Sequence, residues 1–339
     1  MRLHRFKNEM LRENEIRPDK YAQEQARLFR QDVASLVKKK KQFIMVNCPA
    51  CNKRDYQKYC KKYTLDYVLC NNCQTVFINP RPTPAILDDF YQNSKNYKFW
   101  NKYIFPSSEG ARRKKVFRPR AQLVRDLCKK YSNRKGTILE IGAGFGTFCE
   151  EIKRFKLFKR VIAVEPTPDL AATCRKRGIE TIEERIEDTV INDKVDVVVS
   201  FEVIEHLFSP EAFLKGCSSV LRKGGIIMLT CPNIKGFDIV VLRELSSAVD
   251  AEHLNYFHPG SLALLLKRSG FNVIDKITPG KLDAELVRKK ALTGEFKING
   301  HPFLKQILID EWERVGIPFQ NFLADNKLSS HMMLIARKK

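Results

Sequence analysis

Apolar and polar positions follow two alternating patterns between residues 136 and 280. Short apolar runs of strand length are each followed by a longer stretch in which apolar residues recur at the spacing of an amphipathic helix. This succession predicts a βαβαβαβαβ core, and strands joined through helices form a parallel, doubly wound sheet of the α/β class. The apolar runs are 138–141, 161–165, 179–182, 195–200 and 226–230, and a last run at 331–336 predicts a further strand.

The chain before this core has a different pattern. Residues 21–37 show rough helical spacing and predict a peripheral helix. Three prolines between residues 79 and 84 break regular structure. An aromatic cluster at 90–105 and a basic helical stretch at 112–125 follow. We interpret them as a hydrophobic cap packed on the core, with a lid over the active site as the alternative.

The chain after the core is mostly helical in pattern, with helices predicted at 282–291 and 303–314. An accessory lid and an oligomer contact are both compatible with it. The patterns divide the chain into a basic helical segment (1–42), a cysteine-bearing segment (43–80), the cap (81–135), the core (136–280) and a C-terminal accessory segment with the final strand (281–339).

The turn after the first core strand is rich in glycine. Gly142, Gly144 and Gly146 alternate with other residues, and Glu140 lies inside the end of the strand. Glycine lets a ligand approach the backbone where a Cβ would intrude. A dinucleotide turn has the spacing G-x-G-x-x-G, which would place its third glycine at Thr147. An acid in the turn favours a ligand that carries an ammonium group over one that presents a pyrophosphate.

Three further motifs follow along the core. Glu165 ends the second strand, nineteen residues after Gly146, where a βαβ nucleotide fold places a carboxylate on ribose hydroxyls. The fourth strand runs into Phe-Glu-Val-Ile-Glu-His at 201–206, and Leu-Arg-Lys-Gly-Gly follows at 221–225. Over about residues 112–278 this set resembles the class I S-adenosylmethionine-dependent methyltransferases, and among them the ubiquinone-biosynthesis O-methyltransferases.

The resemblance implies a Rossmann-like fold with a mostly parallel sheet and a C-terminal antiparallel strand, and S-adenosylmethionine as cofactor. It places Glu140 near the methionine ammonium, the three glycines under the cofactor and Glu165 on the ribose. Arg185 stands where the family usually has an acid for the adenine, which leaves that contact to the Ile186 backbone or to a neighbouring glutamate. Phe201 and Glu202 should line the floor near the sulfonium.

Two C-x2-C pairs lie in the cysteine-bearing segment, Cys48 with Cys51 and Cys70 with Cys73, and eighteen residues separate the pairs. Four thiolates complete a tetrahedron, so the pattern predicts a zinc ribbon with a structural Zn²⁺. Strands are expected at 63–69 and 75–78. Lysines and tyrosines between the pairs leave a nucleic-acid-binding ribbon as the alternative.

With a zinc ribbon in front of such a core, the chain resembles the ribbon-bearing sugar methyltransferases of polysaccharide and natural-product pathways. Those enzymes carry Tyr-x-Glu-His in their acceptor region, and this chain has Asp250, Ala251, Glu252 and His253, which puts C-methylation in doubt. We expect His253 to deprotonate the acceptor and Glu252 to orient it. His206 is the second candidate base, although its position favours capping of the following helix.

The net charge of +22 lies almost entirely before residue 136, where 32 Lys and Arg face 12 Asp and Glu. Such a surface attracts phosphorylated substrates, nucleic acid or anionic membranes, and a solvated surface without a dedicated partner is the alternative. No apolar run is long enough for a membrane span, and the charged first seventeen residues are not a secretory signal. We therefore expect a cytoplasmic protein.

The function that the two resemblances imply is methyl transfer to a small molecule, a sugar or a nucleotide-linked sugar, whose phosphates we expect to meet the basic portion. The alternatives are an RNA methyltransferase that uses the ribbon as a binding arm and a non-catalytic nucleic-acid-binding protein. Against the RNA enzyme, no Asn/Asp-Pro-Pro-Tyr motif ends the fourth strand.

Overall fold

The computed structural model describes residues 11–132 and 134–339. Residues 1–10 of the predicted basic segment lie outside the described residues. The strands are β1 Tyr56–Lys62, β2 Leu65–Cys70, β3 Val76–Ile78, β4 Thr137–Ile141, β5 Arg160–Val164, β6 Glu180–Ile182, β7 Val195–Phe201, β8 Leu221–Pro232, β9 Asn255–Tyr256, β10 Phe271–Ile277 and β11 His331–Lys338.

The α-helices are α1 Glu13–Ile16, α2 Ala22–Lys38, α3 Pro84–Asn93, α4 Lys95–Phe99, α5 Phe105–Arg112, α6 Arg118–Tyr131, α7 Thr147–Lys153, α8 Pro168–Lys176, α9 Pro210–Val220, α10 Phe237–Leu242, α11 Pro259–Arg268, α12 Asp283–Leu292, α13 Pro302–Lys305 and α14 Trp312–Asp325. Wider π-helical turns at Trp100–Ile104 and Arg113–Phe117 join α4, α5 and α6. Among the described residues, no helix has the length and apolarity needed to cross a bilayer.

The central sheet has seven strands in the order β10-β11-β8-β7-β4-β5-β6. Strands β4 to β8 pair in parallel, and β11 pairs antiparallel with both β8 and β10. The predicted doubly wound sheet with a C-terminal antiparallel strand is confirmed. Every residue of β7 is buried, because helices cover both faces of the sheet.

Two apolar clusters cover the two faces of this sheet. Helices α6 and α7 pack against one face through residues such as Val124 and Phe148. Helices α9 and α11 pack on the other face through residues such as Phe213 and Leu265. The carboxyl edge of the parallel strands is therefore left for the loops that follow β4, β5 and β7, which is where such folds bind ligands.

A second sheet has four antiparallel strands in the order β1-β2-β3-β9. The strands expected at 63–69 and 75–78 correspond to β2 and β3, whereas β1 was not predicted because most of its residues are polar and exposed. The fourth strand, β9, comes from the core of the chain, 180 residues away in sequence. It joins the cysteine-bearing segment to the central domain through backbone hydrogen bonds.

Candidate active site

The glycine turn, residues 142–146, follows β4 at the carboxyl edge of the sheet. Gly142, Gly144 and Gly146 have φ angles of +73°, +55° and +70°, a region in which side chains are strained. A Cβ at Gly142 would lie 2.5 Å from Val203 and a Cβ at Gly146 would lie 2.6 Å from Ile179, whereas a Cβ at Gly144 would have no atom within 4 Å. Gly144 therefore borders open space at the carboxyl edge of the sheet.

Glu165 directly follows β5 and closes one side of this turn. Its carboxylate accepts hydrogen bonds from the N–H of Gly144 at 2.7 Å and from the N–H of Thr167 at 3.0 Å. Burial raises its pKa, while the two backbone donors oppose that rise. These two bonds hold the carboxylate beside the turn, where its remaining lone pairs are able to accept hydroxyl hydrogen bonds.

Glu140 lies inside β4 and is 4% exposed. The Cys149 thiol donates to its Oε2 at 3.0 Å. Burial raises the pKa of Glu140 to about 8, and the neighbouring Glu165 adds to the rise while Arg120 opposes it. A buried acid with so raised a pKa favours a cationic ligand, because a positive charge restores its ionised form.

Arg120, on α6, faces the same site, and the sequence analysis did not single it out. Its guanidinium carbon is 4.5 Å from the centroid of the Phe201 ring, and Glu202 and Glu140 interact favourably with its charge. Burial lowers its pKa. In the sequence it was one of several basic residues on one helix, and only packing distinguishes it from Arg118, which pairs with Glu151.

Phe201 ends β7 and Glu202 follows it, where the sequence predicts the floor of the site. The Phe201 ring packs on Phe148 with centroids 4.8 Å apart. The Thr230 hydroxyl donates to Glu202 Oε1 at 2.6 Å, and His331 Nδ1 lies 3.3 Å from the same oxygen. Burial opposes ionisation of Glu202, but the charges of His331 and Arg120 prevail and lower its pKa.

The two residues expected near the adenine are placed differently from each other. Ile186 is 2% exposed and packs in the core beneath the sheet edge. The Arg185 side chain is about half exposed and pairs with Asp88 of α3. The structure thus keeps Ile186 close to the core and directs the Arg185 guanidinium towards the cap surface.

Glu205, His206 and His253 form a second group, here called the acceptor cluster. Their ligand atoms all lie within 4.8 Å of one another, and the two imidazole centroids are 4.6 Å apart. Glu205 is 1% exposed, and neither of its carboxylate oxygens has a hydrogen-bond partner among the described residues. Val203, two residues before Glu205, packs against Gly142 of the glycine turn.

The hydrogen bonds of the two imidazoles assign their tautomers. His253 Nδ1 is 2.9 Å from the Ala248 carbonyl, and His206 Nδ1 is 3.2 Å from the Glu252 carbonyl and 3.3 Å from the Tyr91 hydroxyl. A carbonyl only accepts, so Nδ1 carries a proton in both rings, and Nε2 keeps its lone pair when the ring is neutral. Burial and the neighbouring His253 lower the pKa of His206 well below its usual value, which keeps the ring neutral.

The loop that carries His253 is organised by Asp250. Its Oδ1 accepts from the N–H groups of Glu252 and His253, each at 2.9 Å, and its Oδ2 lies 3.7 Å from His253 Nδ1. Orientation of His253 thus comes from Asp250 and Ala248, while Glu252 contributes its backbone carbonyl to His206. The Glu252 carboxyl is buried, and burial together with the charge of Asp250 raises its pKa to about 8.

The structure corrects the helix-capping role that the sequence favoured for His206. Helix α9 is capped by Ser209, whose hydroxyl accepts from the Ala212 N–H at 3.2 Å. Serine is the better cap because its short side chain reaches the second and third N–H groups of a helix. His206 is therefore free of that role and belongs to the acceptor cluster.

Cys48, Cys51, Cys70 and Cys73 form a compact cysteine cluster. The Sγ atoms of Cys48 and Cys73 are 3.5 Å apart, those of Cys51 and Cys70 are 3.4 Å apart, and all four lie within 4.8 Å. A tetrahedral Zn²⁺ with Zn–S bonds of about 2.3 Å requires sulfur separations of roughly 3.8 Å. The four thiols are thus close enough together to converge on one metal ion.

Comparison with known proteins connects these sites to a family. Residues 112–276 match the model of a family described as "Methyltransferase domain". A ubiquinone biosynthesis O-methyltransferase of Bradyrhizobium sp. is 27% identical over 230 residues, which cover 63% of this chain and 86% of that protein.

Two further relatives match shorter stretches. A probable S-adenosylmethionine-dependent methyltransferase of Mycobacterium tuberculosis is 35% identical over 137 residues, 40% of this chain and 48% of the relative. The mitochondrial ubiquinone biosynthesis O-methyltransferase of Homo sapiens is 29% identical over 154 residues, 40% of this chain and 41% of that protein. The chain thus spans less than half the length of these two relatives. With their glycine turn, their acids at the ends of β4 and β5 and their strand order, residues 112–276 form a class I S-adenosylmethionine-dependent methyltransferase domain.

Proposed function

We propose that this enzyme transfers the methyl group of S-adenosylmethionine to a hydroxyl of a small molecule bound at the acceptor cluster. The observation that carries the proposal is the pair of adjacent imidazoles, each with its Nδ1 against a backbone carbonyl. His206 lies three residues after Val203, which packs against Gly142 of the glycine turn. Methyl transfer is an in-line displacement, so the protein must align the nucleophile and remove its proton. Nε2 of His253 accepts that proton, and the Ala248 carbonyl and Asp250 stabilise the imidazolium that forms.

The donor is held mainly by residues at the carboxyl ends of β4, β5 and β7, together with Arg120 of α6. S-adenosylmethionine supplies a methyl group activated on a sulfonium. Glu140 faces its ammonium, Arg120 pairs with its carboxylate, and Glu165 accepts from the ribose hydroxyls. The adenine lies beside Ile186, with Phe201 and Glu202 beneath the sulfonium. The raised pKa of Glu140 and the open space at Gly144 support this arrangement.

The proposed acceptor is a sugar or a nucleotide-linked sugar. The cysteine cluster ahead of the core supports an acceptor of the sugar class, because it is similar to the ribbon of the sugar methyltransferases. The 32 Lys and Arg against 12 Asp and Glu before residue 136 support a phosphorylated acceptor. The relatives named for ubiquinone biosynthesis favour a second candidate, an aromatic hydroxyl of a quinone precursor. We further propose that the cysteine cluster binds one structural Zn²⁺.

A panel assay tests the acceptor class. Purified enzyme is incubated with labelled donor and, separately, with nucleotide sugars, free sugars, quinone precursors and total RNA. Label in a nucleotide sugar is the expected result, and label in a quinone precursor would establish the second candidate. Label that appears only in RNA would overturn the small-molecule assignment and favour the RNA enzyme.

The acceptor cluster also has the donor set of a divalent-cation site, two imidazole nitrogens and one carboxylate. A cation there would lower the pKa of the hydroxyl and replace His253 as the means of deprotonation. Enzyme whose cysteine cluster is loaded with zinc is therefore assayed with and without added Mg²⁺ or Mn²⁺. Activity independent of added cation supports the histidine base, and strict dependence supports the cation.

Donor affinity should rise with pH through Glu140. The acid holds a proton in the free enzyme below about pH 8 and must lose it to pair with the donor ammonium. Binding therefore releases a proton, and affinity should improve roughly tenfold from pH 6 to pH 7 and less above that. Calorimetric titration with S-adenosylmethionine at several pH values measures this.

Glu140→Gln is the matched control for that titration, because the amide keeps the shape and cannot ionise. Its affinity should change little with pH, and its deficit against the unmodified enzyme should disappear near pH 6. A Glu140→Gln enzyme with the same pH profile as the unmodified one would contradict the role of Glu140.

A further inference from the structure

We infer that the cysteine module, residues 43–80, holds the acceptor loop, residues 246–258, in position, so that loss of its bound metal disables the acceptor site and spares the donor site. The inference rests on the proposed function in naming His253 as an acceptor-side group. A structural metal of this kind then positions the acceptor loop for catalysis, in addition to stabilising the cysteine module itself.

The backbone of the acceptor loop pairs with the cysteine module. Strand β9 of the loop forms antiparallel pairs with β3, Tyr256 opposite Val76 and Asn255 opposite Phe77. The Ile78 N–H donates to the Leu254 carbonyl at 3.1 Å. These bonds begin one residue after His253, so the position of that imidazole depends on where β3 lies.

Side chains of the module hold the other end of the loop. The Tyr67 hydroxyl donates to the Asp250 carbonyl at 2.8 Å, and Lys62 Nζ donates to the carbonyls of Ser246 at 3.1 Å and Val249 at 2.5 Å. Asp250 in turn accepts from the His253 N–H. The loop is thus fixed before His253 by donors from β1 and β2 and after His253 by β3.

Arg81, next to the module, connects the two histidine segments. It is 1% exposed, and its guanidinium donates to the carbonyls of Ile78 at 3.3 Å, Phe208 at 3.0 Å and Leu254 at 3.3 Å. Phe208 lies two residues after His206 and Leu254 one residue after His253. One buried side chain of the cap thus bridges the two imidazole-bearing segments, which Asn255 also joins through its bond to the Leu207 carbonyl at 2.8 Å.

The cysteine pairs themselves are docked on α11 and its N-terminal residue. His258 Nε2 lies 2.9 Å from the Cys73 carbonyl, and Arg268 Nη1 donates to the Ala50 carbonyl at 2.7 Å. Units below about 40 residues usually require a metal or disulfides to fold, because their core is too small. Removal of the metal should therefore loosen β1 to β3, and with them the partners of the acceptor loop.

The glycine turn makes no comparable contacts. Within the described chain its backbone N–H groups bond to the Val164 carbonyl, the Glu165 carboxylate and the Ala143 carbonyl, all of them outside the cysteine module. The donor side is built on β4 and β5 in the central sheet. It should keep its structure when the module loses its metal.

Hydrogen exchange on the full-length enzyme tests the inference. Zinc-loaded protein is compared with protein from which the zinc has been removed by a chelator that leaves the thiols unmodified, and with the Cys51→Ser variant. Zinc content is measured in each sample. Exchange in 246–258 should become at least tenfold faster without metal, while 137–148 and 160–167 stay protected and donor affinity changes less than twofold. Equal loss of protection in all three segments, or none in 246–258, would overturn it.

Variants that keep all four cysteines provide the second test. Arg81→Met and Tyr67→Phe should retain one zinc per chain, loosen 246–258 and lower the rate of methyl transfer, with the KM for the donor unchanged. Arg160→Gln, which breaks an exposed ion pair with Glu180 far from the loop, is the control and should match the unmodified enzyme. Variants with unaltered exchange would contradict the inference. Hydrogen exchange is measured without an acceptor, so it tests the inference even if none of the tested acceptors is methylated.

Discussion

Replacing His253 by asparagine is expected to lower kcat by 10²- to 10⁴-fold, the range that a positioned general base contributes. The asparagine amide can still donate to the Ala248 carbonyl, so the loop keeps its shape while the Nε2 lone pair is lost. Donor affinity should not change, because no described contact of the glycine turn involves His253. Single-turnover methylation with labelled donor measures the chemical step directly.

The matched control for this variant is His301→Asn. His301 is exposed and stacks on Phe296 in the accessory segment, remote in sequence from the acceptor cluster. That variant should retain full activity. Single-turnover methylation by His253→Asn at the unmodified rate would contradict the assignment of the base and leave His206 or a bound cation to deprotonate the acceptor.

The parts of the fold that sequence predicts are those in which local pattern and packing agree. The apolar runs that became β4, β5 and β7 are buried on both faces, so their hydrophobicity alone identifies them. The glycine turn is equally local, since a positive φ is a property of single residues. Arg120 could not be found in this way, because α6 carries other basic residues and only the fold brings Phe201, Glu202 and Glu140 to the Arg120 guanidinium.

The acceptor side is harder to predict from the sequence, because its contacts join segments that lie far apart along the chain. Strand β9 has two residues and no periodicity of its own, and its partner β3 lies 180 residues earlier. The pairing of His206 with the Glu252 carbonyl likewise depends on a backbone position that no side-chain pattern records. Capping of α9 was assigned to His206 because the histidine is polar and precedes the helix, yet Ser209 lies closer to the first turn.

Substitution of Gly144 by alanine should selectively weaken donor binding. A Cβ at this position meets no protein atom within 4 Å, so it projects into the space that we assign to the donor. An additional methyl group in a filled site costs about 1–3 kcal/mol, which predicts a roughly 5- to 150-fold rise in the donor Kd. Calorimetry with S-adenosylmethionine and with its demethylated product measures the change.

Gly178→Ala separates this effect from backbone strain. Gly178 has a φ of +68°, close to the +55° of Gly144, and its Cβ would also meet no atom within 4 Å, but it lies in the turn after α8. Both substitutions carry the left-handed penalty of about 1–2 kcal/mol, so both variants should melt a few degrees lower. Only Gly144→Ala should lose donor affinity, because only its methyl group competes with the donor. Equal donor affinities in the two variants would show that the donor does not approach the backbone at Gly144.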